Sequence, residues 1–124
     1  MAFEIEKTQK TPKITFDEDK GIFSIEGVVF PENSGKFFTP LFDYAINYLK
    51  HPKEETVLNL YIIYINTASS KQIYEFIKLF SDNKNTKTKV NWIFDEDDED
   101  MEETGEEFDT FFKDLAFNFI PKEV

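Results

Sequence analysis

The residues with the most chemical promise lie in the stretch YIIYINTASSK, residues 61–71. An apolar run that reads as a buried strand passes into Asn66, Thr67, Ser69, Ser70 and Lys71 at the expected start of a helix. In α/β proteins, sites gather where strands end and helices begin. Three chemistries are open to such hydroxyls: helix capping, nucleophilic attack and acceptance of a phosphate. Ser69 and Gln72 have capping-box spacing, which predicts Ser69 as the N-cap and leaves Thr67 in the loop with a free hydroxyl. A serine nucleophile needs an adjacent base and an oxyanion hole. The only histidine, His51, sits next to Pro52 in a charged loop, and no Gly-x-Ser-x-Gly elbow exists. No catalytic residue is therefore assigned. A phosphate at this position would meet the unpaired N–H groups and positive dipole end of a helix. It would add roughly −1.5 to −2 charges at neutral pH, with Lys71 close in sequence.

The second feature is a run of acid. The chain has a formal net charge of −11, yet residues 95–109 alone hold eleven carboxylates and no lysine. The other fourteen carboxylates are balanced by fourteen lysines. A field of this sign repels phosphate backbones and argues against DNA or RNA as a partner. The run lacks the glycine at the sixth position of an EF-hand loop, so no specific metal site is assigned. Carboxylates are favourable in a first helical turn, and a solvated helix start accounts for them. The rival function is a constitutive divalent-cation or small-ligand binding module using residues 95–107.

These features need a scaffold. With 124 residues, 40% of them apolar and fifteen of them Phe, a single aromatic-rich domain spanning 1–124 is expected. The absence of cysteine rules out disulfides and cysteine zinc sites. No apolar run approaches the roughly 20 residues of a membrane span. The start MAFEIEKTQKTPK has no apolar signal region, so the expectation is a soluble cytoplasmic protein without a membrane partner.

Residues 1–11 read as a loose tail. KITF (13–16) and GIFSIEGVVF (21–30) read as a hairpin, with Phe23, Ile25 and Val29 on one face. PENS (31–34) stops the second strand and turns the chain, with Ser34 or Thr39 as the cap of a helix over about 39–50. Its residues Pro31, Glu32, Asn33 and Ser34 fall at the same sheet edge as Thr67 and form a candidate partner surface. VLNLYIIYI (57–65) is apolar on both faces apart from Asn59, which predicts a central strand with layers on both sides. Ile73, Phe76, Ile77 and Phe80 mark an amphipathic helix over 69–82. KVNWIF (89–94) is a further strand. Phe108, Phe111, Phe112 and Leu115 form the inward stripe of a last helix, and FNFIP ends the chain as a short strand or packed tail. The order is β-β-α-β-α-β-α, a mixed sheet of about four strands with about three helices.

The set TPKI (11–14), PENS (31–34), YINTASSK (64–71) and DEDDEDMEETGEEF (95–108), in this order and spacing, resembles the SiaC family of bacterial regulatory phosphoproteins. The resemblance covers roughly residues 11–120, with PENS and the Asn-Thr-x-Ser motif as its most specific parts. It implies a STAS-like fold, similar to anti-sigma-factor antagonists that carry a phosphorylated hydroxyl after a central strand. It also implies a non-enzymatic partner switch that needs no cofactor. In such a switch a cognate kinase phosphorylates the protein and a PP2C-type phosphatase reverses it. The unphosphorylated form binds and activates an effector such as a diguanylate cyclase. The family's modified threonine follows the Asn of an Asn-Thr-Ser-Ser motif and maps onto Thr67, with Asn66, Ser69, Ser70 and Lys71 around it. This chain departs at the next position, where Ala68 replaces serine.

Overall fold

A computed structural model gives the fold and describes residues 2–124. Apolar residues at every second position build the first strands. β1 (Ala2–Ile5), β2 (Lys13–Asp17) and β3 (Ile22–Val29) form an antiparallel meander in which Ile14, Phe16, Phe23 and Ile25 are fully buried. Residues 2–5, expected in a loose tail, are thus an edge strand; Phe3 and Ile5 pair opposite Phe16 and Ile14 and pack on the core. Met1 lies outside the described residues. The β2–β3 turn closes on Gly21, whose φ of +67° suits glycine and whose missing side chain admits the carbonyl of Glu55.

Three strand–helix–strand units complete the chain: α1 (Ser34–Tyr48), β4 (Glu55–Ile65), α2 (Thr67–Ser81), β5 (Lys87–Asp95), α3 (Glu99–Phe111) and β6 (Ala116–Lys122). β3 to β6 are mutually parallel, and the six-stranded sheet has the order β1-β2-β3-β4-β5-β6. The mixed α/β architecture with three helices is as read from the sequence. The sheet has six strands rather than about four, because β1 and β6 extend its two edges.

Crossovers have one preferred hand, so a strand order that advances in one direction puts successive helices on the same face. All three helices cover one face here. Phe76 of α2 stacks on Phe16 at 5.6 Å, Phe80 meets Phe23 at 5.2 Å, and Phe108 of α3 packs on Trp92 at 5.4 Å. β4 is central, as expected, but it is layered on one side only. Leu58, Leu60 and Ile62 are buried, while Val57, Asn59 and Tyr61 are half-buried and Ile63 is exposed on the open face. There Asn59, the polar exception in its strand, belongs to a ladder. Its amide donates to Ser24 at 3.4 Å, Asn91 donates to Asn59 at 2.8 Å, and Asn118 donates to Asn91 at 3.2 Å.

The cap of α1 is Asn33, whose side chain accepts from the Lys36 amide at 3.0 Å, in place of Ser34 or Thr39. The helix therefore begins five residues earlier than expected and runs through Pro40. Lys36 and Pro40 are both exposed, so water can satisfy the carbonyl that the proline ring leaves without a donor. Ile46, expected inside, faces outward.

Candidate functional site

α2 starts where β4 ends, and its first turn carries the hydroxyls. Asn66 is the N-cap, with extended backbone angles and a side chain that accepts from the Ser69 amide at 2.9 Å. This corrects the expected cap. A start at Thr67 makes Ser69 the third helical residue, at the head of the stripe Ser69, Ile73, Phe76, Ile77 and Phe80. Ser69 is consequently fully buried, and its hydroxyl has no hydrogen-bond partner among the described residues. The spacing 69–73–76–77–80 carried that signal, but the capping-box match masked it. Thr67 is the first helical residue instead of a loop residue, and it is exposed, as is Ala68. Their two amides precede the first intrahelical bond, which runs from the Ser70 amide to the Asn66 carbonyl at 2.9 Å.

The PENS loop leaves the sheet beside this turn. The Asn66 amide donates to the carbonyl of Val29 at 3.2 Å, so β3 and β4 end side by side. Pro31 is buried and Asn33 caps α1, while Glu32 is exposed. A register shift between Gly27 and Val28 leaves Ile63 without a partner residue and turns Tyr64 outward against Phe30 at 5.6 Å. His51 lies at the opposite end of the sheet, between α1 and β4, so it supplies no base to Thr67.

Thr67 also lines a groove of about 400 Å³ between α2 and α3, together with Ser70, Lys71, Tyr74, Phe108 and Phe111. Lys71, close to Thr67 as expected, is exposed there. The acidic wall is held by one fixture. Trp92 donates its indole N–H to the Met101 carbonyl at 3.0 Å, and Gly105 lies so close to the indole that a Cβ there would fall 2.4 Å from it. Tyr74 bridges the two helices, edge-on to Phe111 at 5.4 Å and tilted on Phe112 at 5.1 Å. Phe111, expected in the inward stripe, is 63% exposed on the groove. Tyr74 and Phe111 are the residues that sequence reasoning missed, because α3 ends at Phe111 and the helical periodicity stops with it.

The carboxylates serve the start of α3. Asp98 caps it by accepting from the Met101 amide at 3.0 Å, and Glu99, Asp100 and Glu102 occupy its first turn. Among the described residues, no three acidic or histidine side chains converge to hold a metal ion. At the base of this segment Tyr61 donates to Asp95. That bond, reinforced by burial and nearby negative charge, pushes the phenol up to about 12. Lys122 lies over the same ring at 4.6 Å.

Fold and site together define a small open-faced α/β domain that presents a threonine at a helix start beside an apolar, acid-rimmed groove. The sequence model of the SiaC family regulatory phosphoproteins matches residues 5–122, and the chain belongs to that family. It is 30% identical over 114 residues to an uncharacterized protein of Pseudomonas aeruginosa (strain UCBPP-PA14), covering 90% of this chain and 88% of that one. Among solved structures it is similar to a chain in the crystal structure of the diguanylate cyclase SiaD in complex with its activator SiaC, from the same species. That match has a TM-score of 0.84 at 28% identity and covers 98% of this chain and 99% of the other. Apo-SiaC matches with a TM-score of 0.82 at 26% identity, over 97% and 98% of the two chains. No helix among the described residues is long and apolar enough to cross a membrane.

Proposed function

We propose that this regulatory protein is a partner switch without enzymatic activity of its own, set by reversible phosphorylation of Thr67. A cognate kinase adds the phosphate and a PP2C-type phosphatase removes it. The unmodified form binds and activates an effector of the diguanylate cyclase class. The observation that carries this reading is the position of Thr67, exposed at the first residue of α2 and at the mouth of the α2–α3 groove. Ser69 cannot compete as an acceptor while the helix is formed, since its hydroxyl is buried. Ser70 is half-buried, and Lys71 is placed to accompany a phosphate. The likeness to SiaC in complex with SiaD supports the effector class.

A partner that covers phosphorylated Thr67 must desolvate about two negative charges, which costs several kcal/mol without a matching cation. Even ~4 kcal/mol lowers affinity roughly a thousandfold. The test is phosphopeptide mapping of the protein from its native host, with and without the phosphatase gene, alongside effector binding. The expected result is one phosphate on Thr67, accumulating without the phosphatase. Thr67→Ala retains the effector and loses control. Thr67→Asp weakens binding less than phosphate does, because it carries one charge. A phosphate that maps to Ser69, or equal effector affinity of the modified and unmodified forms, refutes the proposal.

A further inference from the structure

The groove beside Thr67 has a chemistry that specifies its occupant. Its floor is apolar and aromatic, made by Tyr74, Phe108 and Phe111, and Phe111 is the most exposed phenylalanine among the described residues. Its rim is acidic. Glu75 of α2 and Glu107 of α3 line it, and Glu103 stands exposed one turn before Glu107. Among the described residues, the one cation in the lining is Lys71, at the Thr67 end. The wall behind the rim is the helix that carries most of the chain's excess negative charge. α2 packs on α1 but meets α3 mainly through Tyr74, so the two helices stand apart. From Thr67 to Tyr74 the groove runs seven residues, about two helical turns or ~10 Å.

The geometry points to a basic amphipathic helix as the segment that docks between α2 and α3. This inference rests on the partner-switch reading and names the partner's recognised element. Two flanking helices offer ridges and grooves that a third helix fills with residues at i, i+3, i+4 and i+7. Lysine or arginine on the flanks of such a helix meets Glu75, Glu103 and Glu107, which favours fast, salt-sensitive association. A phosphate on Thr67 then occupies one end of the groove with its hydration shell. Because the rim is already acidic, the phosphate displaces the first turn of the docked helix by bulk and hydration rather than by long-range repulsion.

The test uses the full chain and three synthetic probes: an 18-residue leucine–lysine peptide with leucines at helical spacing, a scrambled isomer, and a leucine–glutamate counterpart. Binding is measured by calorimetry and located by amide chemical-shift mapping. The inference expects the patterned basic peptide to bind at least tenfold tighter than either control, with shifts over Thr67–Glu75 and Thr104–Phe111. Phe111→Ser, at an exposed position, should lower that affinity about tenfold at an unchanged melting temperature. Glu103→Gln combined with Glu107→Gln should flatten its salt dependence. Equal binding of the scrambled peptide, or shifts confined to the open sheet face, overturns the docking proposal. If in the same series a Thr67 phosphate still controls the effector, only the helix-docking inference falls and the switch stands.

Discussion

Asn66 and Ser69 exchange the roles that local sequence suggests, and their energetics should reflect it. The Asn66 side chain satisfies a helix-start amide, so Asn66→Ala should cost about 1 kcal/mol. Ser69 keeps a buried hydroxyl without a partner, a situation that costs about 1–3 kcal/mol. Ser69→Ala should therefore be neutral or stabilising. Matched urea melts check both, and a Ser69→Ala loss larger than that of Asn66→Ala would reverse the assignment. Tyr61 offers a pH-dependent test. Its folded pKa is raised to about 12 from the ordinary 10.0, first by its hydrogen bond to Asp95. The stability linked to that shift is complete below pH ~10 and is lost as pH rises through about 12. The stability gap between the wild type and Tyr61→Phe should stay level from neutral pH to about 10 and narrow above it. A gap that widens in that alkaline range would contradict the bond.

At the scale of elements, α3 is positioned by the fit of Gly105 against Trp92. Gly105→Ala gains up to about 1 kcal/mol of helix propensity. It also drives a methyl group into the indole at 2.4 Å, and overpacking of this kind costs about 1–3 kcal/mol. The expected net result is a loss of stability with a change in tryptophan fluorescence. Trp92→Phe removes the pyrrole ring that the methyl group strikes. The double variant should thus be less unstable than the sum of the single changes by about 1 kcal/mol. Additive effects in denaturant melts would show that α3 does not depend on this contact.

At the scale of the molecule, excess charge and exposed threonine share one end of the fold, while the aromatic core lies beneath. Phe16, Phe23, Phe76 and Phe80 form a continuous cluster behind β4 that Thr67 does not touch. Phosphorylation at Thr67 should therefore leave circular dichroism and hydrogen-exchange protection of β4 unchanged, even where partner binding is lost. A cooperative loss of β4 protection in the phosphoprotein would replace the local mechanism with an unfolding one.

Much of this architecture arises from local pattern. Alternation in KITF and KVNWIF, and the 3.6-residue spacing through Phe76 and Phe80, determine strands and helices because each element buries one stripe. The acidic run and the Asn-Thr-x-Ser motif are likewise legible without coordinates. The part beyond the sequence is relational. Val57, Tyr61 and Ile63 look like a second buried face, and only the common side of three crossovers leaves that face open. Phe111 looks like core, and only the end of α3 turns it into a groove with Tyr74. Ser69 looks like a cap until Asn66 takes the bond. In each case one side chain has two locally acceptable positions, and packing against elements distant in sequence selects between them.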